Sequence, residues 1–353
     1  MAEVQRYFND FHDKIRLNNL DENATLREKR DIVLKKLRER LQKIFEERGE
    51  TAPTFTHFDK GSYAMNTGTV PVDCDYDIDE GLLFNIHKDD YPDPVVVKQW
   101  VYEALEGHTD NVVIKQPCVT VYYHLEGEPI YHIDLAVYAH EGDVAGNIYL
   151  ARGKPHSGPE RRVWQLDDPL GLTEIIRNRF ENADERKQFR RVIRYLKRWK
   201  DIKFPSDGNA APIGVGITVA AFYWFLPQRT LIDAFQNKYK DNDLKALSLF
   251  VNSMINNFRL TYNDDEYAER LTVQLPVQPY NDLFEKMTNL QMSNFKQKLE
   301  SLRAVLDEAE QETDPAKACE KLQKQFGDDF PVPEISETAQ RKSPAIVSSS
   351  SSA

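Results

Sequence analysis

Two short apolar runs that each carry acidic residues constrain the fold of this 353-residue chain more than any other feature. The first is residues 76–81 (YDIDEG), and the second is residues 132–137 (HIDLAV). Residues two apart in an extended strand lie on one face, about 7 Å apart, so Asp77 and Asp79 present their carboxylates side by side. Asp134 then approaches from a neighbouring strand about 4.8 Å away. Because carboxylates are the hard oxygen ligands that Mg²⁺ prefers, the pattern predicts a site for two Mg²⁺ ions, with Mn²⁺ as a substitute.

A glycine and a serine precede the first acidic run. Gly61 follows the strand-like residues 54–59, and the missing Cβ of a glycine lets backbone N–H groups approach an anion closely. Ser62 adds a hydroxyl that can donate to the same anion. We interpret the pair as a turn that binds the triphosphate of a nucleotide.

The periodicity of the remaining chain predicts an α+β protein with a small mixed sheet, helices on one side of that sheet, and a second, helical lobe. Residues 4–16 are amphipathic, and Thr25 with Glu28 resembles a capping box that opens a long helix ending at Gly49. Strands are predicted at 54–59, 76–85, 111–115, 119–125 and 130–139, with a helix at 92–107. Residues 140–171 are predicted to form a crossover loop, followed by helices at 172–182, 184–201, 213–226, 242–258, 281–311 and 314–325. The predicted domains are an N-terminal segment (1–20), a catalytic lobe (21–165), a helical lobe (166–330) and a disordered Pro- and Ser-rich tail (331–353).

Composition excludes several classes of partner. The net charge is −11 and the isoelectric point is about 5.3, which argues against long nucleic acid as the partner. The three cysteines are odd in number and do not match a zinc pattern, which fits a reducing cytoplasm. The N-terminus shows no export signal, and the most apolar segment, 212–227, is too short to cross a bilayer. We therefore expect a cytoplasmic protein without a membrane partner, and a buried core helix at 213–226.

The ordered set of Gly61-Ser62, YDIDEG and HIDLAVYA resembles the polymerase-β nucleotidyltransferase superfamily. Within it, the long first helix and the forms of the two acidic runs resemble the bacterial cGAS/DncV-like nucleotidyltransferases, over roughly residues 20–325. The resemblance implies a bilobal fold and an enzyme that makes a cyclic di- or trinucleotide second messenger in anti-phage (CBASS) defence. It also implies that Asp77, Asp79 and Asp134 bind the metals, and that Gly61 and Ser62 bind the triphosphate.

Two features of the site stay open at this stage. Asp73 and Asp75 precede Asp77 at the same spacing, so Asp75 with Asp77 is an alternative metal pair, although the Glu-Gly that follows Asp79 matches the family form. The predicted helix at 184–201 carries a stripe of basic residues, and the resemblance implies that Lys197 faces the triphosphate. The alternative is a solvated basic face.

The resemblance implies nucleoside triphosphates as substrates, with ATP first and the second nucleotide undetermined. One alternative is a template-independent transferase that makes a linear oligonucleotide or modifies RNA, a protein or a small molecule. Another is a nucleotide-binding scaffold without turnover. The flexible tail suggests a conjugating or regulatory protein as partner, against the alternative of an inert solubilising tail.

Overall fold

The computed structural model describes residues 2–17, 21–73, 75–125, 128–142, 146–204, 211–236, 238–263 and 266–334. Within them the helices are α1 (Gln5–Ile15), α2 (Asp21–Glu47), α3 (Gly61–Ala64), α4 (Pro94–Leu105), α5 (Pro169–Arg177), α6 (Ala183–Lys203), α7 (Gly214–Trp224), α8 (Asp243–Asn256), α9 (Asn289–Gln311) and α10 (Pro315–Phe326). The strands are β1 (Phe55–Asp59), β2 (Tyr76–His87), β3 (Asn111–Ile114), β4 (Val119–Leu125), β5 (Glu128–His140), β6 (Ile148–Ala151), β7 (Trp164–Asp167), β8 (Arg229–Asp233), β9 (Lys238–Asp241), β10 (Arg259–Asn263) and β11 (Glu266–Arg270). The predicted α+β class is confirmed.

The first lobe is built on one mixed sheet in the order β1-β2-β5-β4-β3, to which β6 and β7 are added beyond β5. Strands β2 and β5 are parallel, and the other pairs are antiparallel. The apolar residues Ile133, Leu135 and Val137 of β5 are fully buried in one core with residues of α2 and α4. Because side chains alternate along a strand, the acidic residues of β2 and β5 point to the opposite face.

The second lobe has its own hydrophobic core, which contains residues of α1, α6, α7, α8, α9 and α10. The N-terminal helix belongs to this core, since Phe8 and Phe11 are fully buried and contact the rings of Tyr195, Phe326 and Phe330. Helix α7 is the predicted buried helix, with residues 216–221 inside the core. No helix among the described residues is long and apolar enough to cross a membrane.

Several predicted boundaries are wrong, and each has a local cause. Residues 140–171 are not only a loop, because β6 and β7 extend the sheet there; four-residue strands are too short to show alternation. Helix α5 begins at Pro169 instead of 172, since Asp168 caps it by accepting from the Gly171 N–H at 2.8 Å. Helix α9 begins at Asn289 instead of 281, where Thr288 and Gln291 form a capping box.

Other differences concern α2 and two hairpins. Helix α2 is already helical at Asp21, so Thr25 lies inside it and does not begin it; acidic residues such as Asp21 suit a helix N-terminus. Gly49 has a φ of +72° just after the helix ends, as predicted. The hairpins β8–β9 and β10–β11 were not predicted, because their large side chains are exposed and give no alternating apolar pattern.

Some predictions fall on residues outside the described ranges. Residues 126 and 127, which connect the predicted strands 119–125 and 130–139, lie outside these ranges, and so does the cysteine at position 74. Of the predicted tail, residues 331–334 are described, and Val332 packs against the core of the second lobe. Residues 335–353 lie outside the described part of the chain, so the predicted disorder there remains a prediction. Cys118 and Cys319 are buried and unpaired, as expected of packing residues.

Candidate active site

The three predicted acidic residues meet at the centre of the sheet. In the parallel register of β2 and β5, Asp79 lies directly opposite Asp134, and Asp77 lies opposite His132. One ligand atom from each of Asp77, His132 and Asp134 lies within 4.8 Å of the other two, which is a spacing at which they could hold one metal ion. Asp79 completes the carboxylate group from the position beside Asp134. The prediction that Asp134 approaches from a neighbouring strand is therefore confirmed.

The carboxylates of β2 destabilise one another in the absence of a cation. Loss of water around Asp77, followed by the charges of Asp79 and Asp134, raises the pKa of Asp77 well above its usual range. Burial also raises the pKa of Asp79, while Lys60 acts in the opposite direction. A bound divalent cation would remove this penalty, so the donor set and its charge fit a divalent metal.

Asp134 is held in place by two residues that the sequence did not indicate. The Thr120 hydroxyl, from the adjacent strand β4, donates to Asp134 Oδ1 at 2.5 Å. The ammonium group of Lys115 lies 3.7 Å from the same oxygen. The pairing of β4 with β5 places Thr120 opposite Asp134, and Lys115 directly follows β3, which pairs with β4; the acidic motifs themselves do not indicate these pairings.

The alternative acid Asp75 lies outside β2 and contacts the site through His132. Its Oδ1 is 2.9 Å from His132 Nδ1, and His132 Nε2 is 3.3 Å from Asp77 Oδ1. His132 thus lies between two carboxylates, hydrogen-bonded to Asp75 and in close contact with Asp77. Asp79, in contrast, lies inside the strand and opposite Asp134. This geometry favours Asp77 with Asp79 over Asp75 with Asp77.

Gly61 is packed against Asp79. It begins the one-turn helix α3 with a φ of +66°, a conformation that glycine adopts easily. A Cβ at this position would lie 1.9 Å from Asp79 Oδ2, far inside van der Waals contact. The close approach therefore requires glycine on two independent grounds. Ser62 is the second residue of α3, and its backbone carbonyl accepts from the Thr67 N–H at 2.9 Å.

The basic face of α6 is buried against the segment that follows α3. Arg194 donates to the carbonyls of Asn66 and Gly68, at 2.6 and 3.0 Å, and Lys197 donates to the carbonyl and hydroxyl of Thr67, each at 3.2 Å. Arg198 likewise donates to the carbonyl of Val70. Arg194, Lys197 and Arg198 are only 3, 7 and 3% exposed, so the alternative of a solvated basic face is wrong at these positions. The sequence shows the charges but not the carbonyls that accept from them.

A cleft between the lobes contains most of the predicted residues. Its volume is about 560 Å³, and its lining includes Gly61, Ser62, Asp77, Asp79 and Lys197. Asp134 is not one of the lining residues, although it is the register partner of Asp79. Burial, with the nearby charges of Arg194 and Lys200, lowers the pKa of Lys197 to about 7.

The cleft also contains polar residues that sequence reasoning missed. Lys60 donates to the Tyr138 hydroxyl at 2.9 Å, and that hydroxyl donates to Asp167 Oδ2 at 2.8 Å. Arg152 and Asp167 reach the cleft because they lie at β6 and β7, in the region predicted to be a loop. The sequence did contain a signal for Lys60, because this residue directly precedes the Gly61–Ser62 pair.

Comparison with known proteins finds relatives of part of the chain. Residues 55–138 match the family described as cyclic GMP-AMP synthase DncV-like, nucleotidyltransferase domain. A cyclic GMP-AMP synthase of Escherichia albertii is 27% identical over 154 residues, which are 42% of this chain and 32% of that protein. The aligned part thus spans about a third of the relative's length.

The fold as a whole is shared with solved structures. Vibrio cholerae DncV, a cyclic AMP-GMP synthase, has a TM-score of 0.66 and 16% identity, with 94% of this chain and 98% of that chain covered. The CD-NTase CdnG of Bradyrhizobium diazoefficiens has a TM-score of 0.65 and 14% identity, with 93% and 96% covered. These likenesses confirm the bilobal polymerase-β-like fold. Within that fold, residues 55–138 are the part of the chain that matches the DncV-like nucleotidyltransferase domain.

Proposed function

We propose that the protein joins nucleoside triphosphates into a cyclic di- or trinucleotide. A ribose hydroxyl of one nucleotide attacks the α-phosphate of another, and pyrophosphate leaves. Further steps of the same kind, each releasing one pyrophosphate, extend the product and close the ring: two steps in all for a dinucleotide and three for a trinucleotide. The observation that carries this proposal is the register that sets Asp79 beside Asp134, with Asp77 on the same face, in a cleft that also contains Ser62 and Lys197.

The residues of the chain have distinct roles in this proposal. Asp77, Asp79 and Asp134 would hold two Mg²⁺ ions, which supply charge neutralisation at the triphosphate and lower the pKa of the attacking hydroxyl. Thr120 and Lys115 orient Asp134, which would accept the proton of that hydroxyl. The Gly61–Ser62 turn and Lys197 bind the phosphate chain, and the hydrogen bonds of Lys197 to Thr67 place it beside the residues that follow that turn.

The proposed substrates are based on the nucleotides found in solved structures of similar proteins. Vibrio cholerae DncV has been solved with ATP and GTP and with a linear pppApG intermediate, and CdnG has been solved with GTP. We propose ATP as one substrate of this chain, and a second purine or pyrimidine nucleotide as the other. A role in CBASS anti-phage signalling and a location in the cytoplasm belong to the same proposal.

Substitution of the paired acids tests the reaction. Purified protein is incubated with labelled nucleoside triphosphates and Mg²⁺ or Mn²⁺. The rate at which the phosphatase-resistant product forms is measured, and the mass of the product is determined by mass spectrometry. Asp77→Asn with Asp79→Asn should lower the rate by at least about 10³-fold, because both carboxylates act on the reacting phosphates. Asp73→Asn is the matched control, since it removes one exposed charge outside the strand, and its rate should stay within about twofold. An unchanged rate in the double variant would refute the proposal.

Two further outcomes separate the alternatives. If Asp75→Asn reduces the rate as strongly as Asp79→Asn does, Asp75 and Asp77 are the working pair. A product that is a linear oligonucleotide or a nucleotidylated acceptor, without a cyclic species, would assign the chain to the template-independent transferases. Tight nucleotide binding without turnover under any cation would assign it to the non-enzymatic class.

The proposed protein partner of the tail needs its own test, because residues 335–353 lie outside the described part of the chain. A conjugating enzyme that captures the C-terminus should produce covalent conjugates in cells. Deletion of residues 341–353 should abolish these conjugates and leave the purified enzyme as active as the full chain. If this deletion leaves both the conjugates and the anti-phage defence of the cells unchanged, the proposed partner is contradicted.

A further inference from the structure

A second, larger pocket lies between α1, α6 and β9. Its volume is about 940 Å³, and it has no lining residue in common with the cleft. Seven of its lining residues are basic and three are acidic, although the chain as a whole has a net charge of −11. We call it the basic pocket. Its excess of positive charge is local, so it is informative about what the pocket binds.

Part of this charge is already compensated by neighbouring carboxylates. Arg191 contacts Asp241 and Asp243 at 2.7 and 2.6 Å, and Lys240 contacts Glu3 at 2.6 Å. These pairs stabilise the walls of the pocket. Lys187 likewise contacts Asp184, at 3.0 Å, so Arg191, Lys240 and Lys187 each have a carboxylate partner.

Three arginines of the pocket contact no carboxylate among the described residues. Arg190 has no hydrogen bond or ion pair there, and the buried Nε of Arg16 has no hydrogen-bond partner. Arg194 is 3% exposed, and within the described part of the chain its guanidinium group donates to two carbonyls and to His12 Nε2, the last at 3.2 Å. Burial and the charges of Arg16 and Arg190 lower the pKa of Arg194 to about 9. Buried guanidinium groups without a counter-charge are costly, and an anionic ligand would remove that cost.

We infer that the basic pocket binds a small anion with at least two phosphate groups, such as a nucleoside polyphosphate, at a site separate from the cleft. Guanidinium groups bind phosphate oxygens in a bidentate manner, and several arginines converge here. A triphosphate carries about four negative charges near neutral pH, which suits a pocket in which three arginines contact no carboxylate among the described residues. The volume also suits a nucleotide, since ligand pockets typically measure about 300–1,000 Å³.

The basic pocket and the cleft share one structural segment. Arg194 lines the basic pocket and binds the carbonyls of Asn66 and Gly68, while Lys197 lines the cleft and binds Thr67 between them. Residues 66–68 are therefore held from both sides. A phosphate that contacts Arg194 would stabilise the arginine that holds residues 66–68, the segment that follows the Gly61–Ser62 turn. We therefore expect ligand binding in the basic pocket to slow hydrogen exchange in this segment.

Calorimetric titration with inorganic tripolyphosphate in metal-free buffer tests the inference. Wild-type protein, Arg16→Gln with Arg190→Gln, and Lys35→Gln with Lys43→Gln are compared at 0.15 M salt. The last variant is the matched control, because it also removes two positive charges, from exposed positions on α2. We expect the control to bind within about twofold of wild type, and the pocket variant to lose one binding event or at least about tenfold in affinity. Equal affinity and stoichiometry in the two variants would overturn the inference.

Two further arms identify the ligand and check the fold. ATP that binds the pocket more tightly than tripolyphosphate shows that the nucleoside is recognised as well, and equal binding shows that the phosphates suffice. Binding of a single-stranded RNA oligonucleotide without binding of tripolyphosphate would overturn the assignment to a small ligand. Thermal unfolding of both variants verifies that they fold. Tripolyphosphate should slow hydrogen exchange at residues 61–70 more in the control variant than in the pocket variant. Identical slowing in the two variants would contradict the proposal that the ligand acts on this segment through Arg194.

Discussion

Replacement of Gly61 by alanine separates the two reasons for which the structure requires glycine. The left-handed backbone costs about 1–2 kcal/mol of stability for a residue with a Cβ. The new Cβ would also lie 1.9 Å from Asp79 Oδ2, whereas ordinary contact begins at 3.4 Å. The Asp79 carboxylate must therefore move by about 1.5 Å, and a displacement of about 1 Å in a catalytic group can cost about 10²-fold in rate.

Gly49 provides the matched control for this experiment. Its φ is +72°, close to the +66° of Gly61, and no atom lies within 4 Å of the position of its Cβ. Gly49→Ala and Gly61→Ala should thus lose a similar free energy of unfolding, about 1–2 kcal/mol in urea titrations.

Only the Gly61 variant should lose nucleotide-joining activity, by about 10²-fold or more, when labelled product is measured with Mg²⁺ below the unfolding temperature. Wild-type activity in Gly61→Ala would refute the placement of Asp79 in the reaction. An equal loss of activity in Gly49→Ala would show that the effect is one of stability.

Three other perturbations test the packing and charge of the two lobes. Asp243 is fully buried and binds Arg191 and Tyr195, so Asp243→Asn should lower the free energy of unfolding by about 3–5 kcal/mol at pH 7. These contacts lower the pKa of Asp243 below the ordinary 3.8, so the stabilisation is complete above that value and is lost as the pH falls through the folded-state pKa. In urea titrations from pH 7 to pH 3, the free energy of unfolding should therefore fall more steeply in wild type than in Asp243→Asn. Parallel curves for the two proteins would contradict this. The ammonium group of the fully buried Lys98 donates to the carbonyls of Lys115, Gln116 and Gly153, so Lys98→Met should cost about 2–3 kcal/mol in the same titrations, and a cost below about 0.5 kcal/mol would contradict its role. Lys197 has a pKa of about 7, and a bound triphosphate would raise this pKa. ATP binding at pH 8 should therefore take up close to one proton, measured by calorimetry in buffers of different ionisation enthalpy, and Lys197→Gln should abolish this uptake.

The sequence was most informative where neighbouring residues determine the structure. The alternation around Asp77, Asp79 and Asp134 predicted both strands and the face that the carboxylates share, because the side-chain period of a strand is a local property. It was less informative where strands are very short, as at β6 and β7, or where large side chains are exposed, as in the two hairpins. Helix starts were misplaced at α5 and α9, although Asp168-Pro169 and the Thr288–Gln291 box were readable local signals.

The sequence by itself determined which chemical groups are available for a site: three carboxylates, a Gly-Ser turn and a helix rich in cations. Only the tertiary structure decided which of these groups meet. The parallel pairing of β2 and β5 placed Asp79 beside Asp134 and left Asp75 outside the strand. The packing of α6 on residues 66–70 buried Arg194 and Lys197 and separated the cleft from the basic pocket. Both are contacts between residues far apart in the chain, and local sequence patterns carry no information about which distant partner a strand or a charge will find.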